Sequence, residues 1–321
     1  LPTPYRKTRT LRHGKEELSI TLYNSGHIPG AASAMLIYKH RKIFITGDVL
    51  FEKQFTIPGA DWPKDKIDTL IMETTRGATD RKASRAEEFA RLLDSINETL
   101  LAGGSILIPV FALGRMQEML SLFHEARRDK NLIPCPIFCT GLGVDLIDYY
   151  DVLRRKTGHV HFNRKILKEL RVRALPDHID HNSGIRERGI YLVSSGMMTE
   201  NTPSYGIAAA LMDDPDSAIL FVGYCDGDTP GGEILRLRDG EKYLFKTLDY
   251  ETQLKARVEK FDLSGHADRE ELLEFAVQTN ARSIVLTHGD PPARAWFAEQ
   301  LAAQAPKSRV IDPVPLQACQ V

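Results

Sequence analysis

A chain of 321 residues, 42% hydrophobic and 26% charged, can bury a sizeable core in one large domain or two medium ones. Its formal net charge of −1 excludes a globally basic nucleic-acid binder, so any nucleic acid must be held by a local cleft. No apolar run approaches the ~20 residues of a membrane span, and the polar, basic N-terminus LPTPYRKTRTLRHGKEE carries no secretory pattern. The four cysteines (Cys135, Cys139, Cys225 and Cys319) form no disulfide-like framework, which points to a reducing, cytoplasmic setting. Cys135 and Cys139 flank the strand-like CPIFC and read as small core residues. The chain opens on Leu rather than Met, which suggests a start partway through a longer protein.

Residues 1–17 read as a loop or linker with solvated charges. Leu18–Asn24, Ser33–Tyr38 and Lys42–Thr46 alternate or run apolar with β-branched residues and predict consecutive antiparallel strands, with Lys39–Arg41 as a turn. Ile67–Met72 predicts a further strand that ends on Glu73. The texture then changes. Lys82–Ala102 predicts a long amphipathic helix stopped by Gly103-Gly104. Strands at Ser105–Val110, Cys135–Thr140, Gly189–Ser194 and Ser217–Gly223 alternate with helices at Gly114–Arg128, Val144–Arg155, Arg164–Arg173 and Tyr205–Met212, the pattern of a parallel α/β sheet. Ala174–Arg188 reads as an exposed loop. Strands return at Tyr243–Leu248 and Ala256–Phe261, followed by helix Arg269–Thr279, strand Ser283–Thr287, helix Ala293–Ala303 and a short strand near Arg309–Ile311. An α/β block is thus inserted between two pieces of another sheet, giving residues 1–79, 80–259 and 260–321.

Five strand-to-loop junctions outside the block carry a side chain able to bind a metal or move a proton: His27, Asp48, Glu73, His266 and His288. Neutral imidazoles with a carboxylate are ligands that zinc favours, and a carboxylate can bridge two ions. Two metals about 3.5–4 Å apart are a recurrent solution for phosphoester hydrolysis. Plainer readings stand beside this one. His27 and Asp48 also suit ordinary Gly/Pro turns, Glu73 suits an ion pair with Arg76, and Asp268 and Asp290 read best as helix N-caps. His159 and His161 have the spacing of a ligand pair but lie inside the block, and they read as surface or core histidines. His13, His40, His124, His178 and His181 fall in turns, polar helix faces or loops and receive no role.

The segments SGHIPGAAS, ITGD, METTRG, SGHAD and LTHGD, with the insert between Glu73 and His266, resemble the ordered motifs of metallo-β-lactamase-fold nucleases of the β-CASP group. That group includes mRNA 3′-end endonucleases and RNA-processing exonucleases. PVFALGRMQEML, LVSSGMMTENTPSY and ILFVGYCDGDTPGGEIL resemble segments of the group's insert. The resemblance implies an α/β fold: a metallo-β-lactamase αββα sandwich, incomplete at the N-terminus, with an inserted parallel α/β β-CASP domain. It implies two zinc ions, with His27 and His288 as terminal ligands and Asp48 as the bridging carboxylate. His266 would contact the scissile phosphate and help protonate the leaving oxygen, while Glu73 orients that imidazole through its second nitrogen. RNA-directed members of the group carry a histidine at the position of His288, where the DNA-repair branch tends to be apolar, so the resemblance favours RNA over DNA as the partner. Arg115 and the Ser194-Ser195-Gly196 loop are candidates for contacts to the nucleic-acid backbone, although Arg115 suits a cap or packing role equally. The resemblance also implies that the insert covers the metal site as a lid, and a homo-oligomer, since relatives often dimerise.

The group's HxHxDH motif, source of four metal ligands, does not occur in these 321 residues. Each zinc then has at most two of its expected ligands, fewer than the three or four that stable binding needs. The leading expectation is therefore the C-terminal portion of a two-zinc ribonuclease, inactive alone. The alternative is a truncated, non-catalytic relative that binds RNA or pairs structurally with an active homologue. A non-nuclease hydrolase of the same fold is a third reading, disfavoured by the insert segments.

Overall fold

The computed structural model describes residues 3–175, 179, 184–314, 316–318 and 320–321. Cys319, His178 and His181 lie outside the described residues, as does part of the expected 174–188 loop. In chain order the strands β1 (Thr8–His13), β2 (Glu16–Asn24), β3 (Ala32–Tyr38), β4 (Arg41–Ile45) and β5 (Thr69–Glu73) come first. There follow α1 (Arg85–Leu101), β6 (Ile106–Pro109), α2 (Arg115–Arg128), β7 (Ile137–Phe138), α3 (Leu142–Thr157), α4 (Lys165–Glu169) and β8 (Ile190–Val193). Next are α5 (Pro203–Leu211), β9 (Ala218–Phe221), α6 (Pro230–Ile234), β10 (Lys242–Phe245), β11 (Tyr250–Gln253) and β12 (Arg257–Lys260). The chain ends with α7 (Arg269–Thr279), β13 (Ser283–Thr287), α8 (Pro291–Gln304) and β14 (Arg309–Ile311).

These elements form two compact units, residues 1–82 with 265–321, and residues 83–264. The boundaries expected from sequence, after residues 79 and 259, fall slightly earlier than the observed 82 and 264. Two local features set the difference. Ser84 caps α1 in a reciprocal capping box with Glu87, so the second unit starts at that cap. β12 pairs in parallel with β9, so the chain is still in the second unit's sheet at Lys260.

The first unit is a seven-stranded mixed sheet of order β1-β2-β3-β4-β5-β13-β14. β1 to β4 run antiparallel, as consecutive hairpins must, whereas β5, β13 and β14 join in parallel. Met35, Phe44, Leu70, Met72, Ile284 and Leu286 pack on one face against Leu272, Leu273 and Phe275 of α7 and Phe297 and Leu301 of α8. α7 starts on Asp268, whose carboxylate accepts from Glu271 N–H, and stops where Asn280 turns left-handed. The opposite face is also aliphatic. Ile20, Leu22, Leu36, Ile43, Ile45 and Ile71 alternate with the buried set and remain half-exposed.

β1 corrects the expected 1–17 loop. All six of its side chains are exposed, so no apolar alternation marks it. It is held by backbone pairing with β2, from Thr8 opposite Thr21 to His13 opposite Glu16, around a turn at Gly14-Lys15.

The second unit carries a five-stranded parallel sheet, β12-β9-β6-β8-β7, and the β10–β11 hairpin. Three expected elements are shorter. The strand over 135–140 reduces to Ile137–Phe138 because Pro134 and Pro136 have no N–H to give a ladder. The helix over 164–173 ends at Glu169, and Arg171 is left-handed. The strand over 243–248 breaks after Phe245 into a turn that leads through left-handed Asp249 to β11. Among the described residues no helix is long and apolar enough to cross a membrane.

The two faces of the larger sheet should respond differently to truncation. Leu70, fully buried against the helices, should cost about 2–5 kcal/mol when changed to alanine. Leu36→Ala, on the half-exposed face, should cost about half that or less, because less apolar area returns to water. Urea unfolding of the two variants checks this, and equal losses would contradict an open face.

Candidate metal centre

His27, Asp48, Glu73, His266 and His288 meet at one rim of the larger sheet, all within the first unit. β2 ends at Asn24, and the chain turns sharply so that His27 points back over the strand ends. Gly26 makes that turn possible. Its φ is 73°, and a Cβ there would lie 2.1 Å from the Leu50 carbonyl oxygen. The Gln54 amide donates to the carbonyls of both Gly26 and His27, at 2.6 and 2.9 Å, and fixes the turn. Asp48 follows β4 through a left-handed Gly47. β5 and β13 are paired in parallel register, with Glu73 opposite Thr287, so Glu73 and His288 leave the same edge. His266 precedes α7, and its loop is tied down where Ala267 N–H donates to the Val49 carbonyl at 2.7 Å.

Glu73 is the buried hub. It is 1% exposed, and its carboxylate accepts from Val49 N–H at 2.6 Å, from the Thr75 hydroxyl at 2.5 Å and from His266 Nδ1 at 2.9 Å. Burial alone would raise its pKa. The hydrogen bonds from His266, Thr75 and Val49 outweigh that and hold the carboxyl below its ordinary value. The plainer alternative, an ion pair with Arg76, gives way to these three donors. His27 Nδ1 donates to the Gly265 carbonyl at 2.9 Å, which turns Nε2 toward Asp48 Oδ2 at 3.8 Å. Burial pushes the His27 pKa down, against the raising pull of the Gly265 carbonyl and Asp48, so the ring is neutral near pH 7. His288 Nδ1 lies 3.2 Å from Asp48 Oδ1. The His266 ring sits between the other two imidazoles, 4.6 Å from His27 and 5.9 Å from His288.

Three donor atoms from His27, Asp48 and His266 lie within 4.8 Å of one another, and so do three from Glu73, His266 and His288. Two histidines whose second nitrogens are engaged by a carbonyl and a carboxylate, together with a carboxylate, are a donor set suited to zinc. The residues therefore fit a metal.

Thr75 was not legible as a site residue. Its hydroxyl donates to Glu73 Oε2 and lies 3.0 Å from Nδ1 of His288, 213 residues away. Only the fold brings that pair together, and no sequence pattern marks it. Asp268 caps α7 as expected. Asp290 occupies the N-cap position of α8 without a side-chain cap hydrogen bond. His159 and His161 are exposed in the second unit.

The candidate nucleic-acid residues lie in the second unit. Arg115 is 7% exposed. Burial, then the neighbouring Arg85 charge, pulls its pKa down to about 10 against the opposing pull of Glu118. Its guanidinium is thus an interior group. Ser195 braces its own loop, its hydroxyl accepting from Thr199 N–H at 3.0 Å. A Cβ on Gly196 would meet the Phe111 ring at 3.0 Å, so glycine there permits close packing. Ser194 is half-buried at the head of the loop.

A mixed sheet that gathers histidines and carboxylates at its rim, interrupted in the chain by a parallel α/β unit, is the architecture of a metal-binding sheet domain with an inserted domain. Residues 116–234 match the Beta-Casp domain, and residues 251–311 match the Zn-dependent metallo-hydrolase RNA specificity domain. The chain is 29% identical over 283 residues to the "Probable RNase MJ4" of Methanocaldococcus jannaschii, covering 86% of this chain and 63% of that protein. It is 31% identical over 317 residues to the "Transcription termination factor FttA" of Pyrococcus horikoshii, covering 89% of this chain and 47% of the other. It is 29% identical over 291 residues to "Integrator complex subunit 11" of Gallus gallus, again covering 89% and 47%. This chain belongs to the β-CASP family of metallo-β-lactamase-fold nucleases. It spans between about half and two-thirds of the length of the relatives it matches.

Removing the Thr75 hydroxyl takes one donor from a buried carboxylate. Thr75→Val should lower stability by about 1–3 kcal/mol, and Thr75→Ser should restore most of it, as read by denaturant unfolding of the metal-free chain. A neutral Thr75→Val would contradict the bridging role.

Proposed function

We propose that this chain supplies the Glu73–His266 pair and the His27, Asp48 and His288 ligands of a two-zinc centre that hydrolyses RNA phosphodiester bonds. The observation that carries this is the buried Glu73 carboxylate held on Nδ1 of His266. An imidazole so oriented presents Nε2 outward with a proton to hold or give up, which is what a leaving oxygen requires. When bound, zinc supplies Lewis acidity and a lowered pKa for the attacking water. His27 Nε2, Asp48 and His288 would hold it. Two ions need three or four donors each, more than these side chains provide, so turnover requires further donors.

RNA is favoured over DNA by the resemblance of the His288 segment to RNA-directed members of the family, and the names of the relatives from M. jannaschii and G. gallus, an RNase and a subunit of the Integrator complex, support RNA as substrate and work within a complex. Exonucleolytic digestion, cytoplasmic location and self-association are the finer parts of this reading. The three described cysteines are free thiols, which suits a reducing compartment. The carboxyl edge of the smaller sheet exposes Phe111, Leu142 and Tyr224, and ring faces there suit stacking by unpaired bases. Ser194 and Ser195 lie on the same edge as backbone contacts. Arg115, the first residue of α2, is buried beside the charges of Arg85 and Glu118.

Labelled single-stranded RNA and DNA of one sequence, incubated with zinc, provide the test. The chain alone should cleave neither appreciably. A version extended to the full length of its relatives should cut RNA in preference to DNA, and its His266→Ala variant should lose roughly 10²–10⁴-fold in rate. A near-normal rate in that variant, or equal cleavage of DNA, would sink the reading.

A further inference from the structure

We infer that the end of the larger sheet opposite the histidine rim is a second contact surface for a single-stranded nucleic acid. It is a basic stripe with one base-stacking groove at Trp62, and it lies within the first unit. That the strand is RNA rests on the function proposed above, whereas the surface itself follows from topology and charge.

Strand direction places the stripe. β4, β5, β13 and β14 are neighbours and run parallel, so Asp48, Glu73 and His288 leave one end and the residues entering these strands stand at the other. Ile43, Thr69, Ser283 and Arg309 align in one row across the four strands. Arg41, Lys64, Lys66, Arg282, Lys307 and Arg309 lie at that row or shortly before it, and all are exposed. At about 4.8 Å per strand the stripe is roughly 15 Å long, and the length of β5 sets it roughly 15–20 Å from Glu73. Among the described residues none of these cations has an ion pair. The carboxylates at this end are already engaged: Asp65 by Lys42 at 3.5 Å, Glu16 by Lys39 at 3.6 Å, and Asp68 by the Lys42 N–H at 2.9 Å. Unneutralised charge collected on one edge, in a chain whose net charge is −1, attracts a polyanion to that edge.

Aromatic chemistry narrows the choice of polyanion. Midway along the stripe lies an open groove of about 530 Å³, walled by Trp62 and Phe275 and edged by Lys64 and Lys66. Phe51 and Phe275 pack edge-on against the Trp62 indole, at ring separations of 5.2 and 5.3 Å, and brace it while 41% of the residue stays exposed. A braced ring beside two free ammonium groups suits a base stacked on the indole with its flanking phosphates on Lys64 and Lys66. Single-strand binders combine a basic track with aromatic platforms in this way. An anionic lipid surface or an acidic peptide would meet the same charge, but neither brings a flat ring with every negative charge.

Fluorescence of Trp62 tests the inference. The chain holds two tryptophans, so Trp296→Phe leaves Trp62 as the sole indole. A uridine oligonucleotide of about ten residues, titrated into this metal-free variant, should quench Trp62 saturably, with an affinity that falls as salt rises. Adding Lys64→Gln and Lys66→Gln should weaken binding roughly tenfold and reduce the slope of log affinity against log salt by about 1.4. Arg282→Gln with Arg309→Gln should reduce that slope similarly. In the parent background, Trp62→Leu should bind the labelled oligonucleotide roughly 5–150-fold more weakly by anisotropy, and Trp62→Phe should recover most of the loss. Because Trp62→Leu could loosen the packing on Phe275, the exposed lysine and arginine variants carry the test independently. No quenching, an unchanged salt slope in the cation variants, or equal quenching by poly-aspartate or phosphatidylserine vesicles would overturn the inference. The measurement needs neither metal nor cleavage, so its failure and the failure of the hydrolysis reading are told apart.

Discussion

The pairing of β5 with β13 is the constraint on which the centre depends. It joins segments separated by the whole inserted unit, and it fixes their register so that Glu73 stands opposite Thr287. From that register follow the approach of Thr75 to His288 and the place of both beside Asp48, which leaves the adjoining β4. A slip of one residue would turn Glu73 to the other face of the sheet and separate it from His266. Leu70 and Met72 on β5 and Ile284 and Leu286 on β13, packed on α7 and α8, hold the register because a one-residue slip of either strand would turn its buried pair to the open face. The hydrophobic core of this unit and the chemistry at its rim are thus set by one alignment.

Glu73 carries the electrostatic burden of that alignment. A carboxylate this deeply buried would be strongly destabilising without partners. Three donors converge on it, one from the backbone after β4, one from its own turn and one from the loop before α7. Each partner is useful to the site as well as to the fold. Val49 follows Asp48, Thr75 reaches His288, and His266 takes its orientation from the same contact. Satisfying one buried charge therefore orders most of the rim.

Much of the rim was legible in the sequence because its residues follow recognisable apolar strands. His27, Asp48, Glu73, His266 and His288 all stand where a strand or a helix start interrupts the apolar pattern, and the fold brings all five together. The inserted parallel unit was legible for the same reason, from strands alternating with helices. β1 was not, since an edge strand with every side chain in solvent needs no apolar period. Nor was Thr75, whose partner in space lies 213 residues away, or the Gly265 carbonyl, which any residue could supply. Arg115 looked equally suited to packing and to phosphate, and its burial beside Arg85 and Glu118 was decided by tertiary packing that no local pattern records. The aliphatic residues on the opposite face of the larger sheet stay half-exposed, and among the described residues of this unit α7 and α8 both pack on the one face that holds Leu70 and Ile284.

The most direct test that the rim is a metal centre is anomalous diffraction at the zinc absorption edge from crystals of this chain grown with zinc. Expected is a peak about 2.0–2.2 Å from His27 Nε2 and from an Asp48 oxygen, with Glu73 still paired to His266. Zinc-soaked crystals with no anomalous density within about 3 Å of either residue would contradict it.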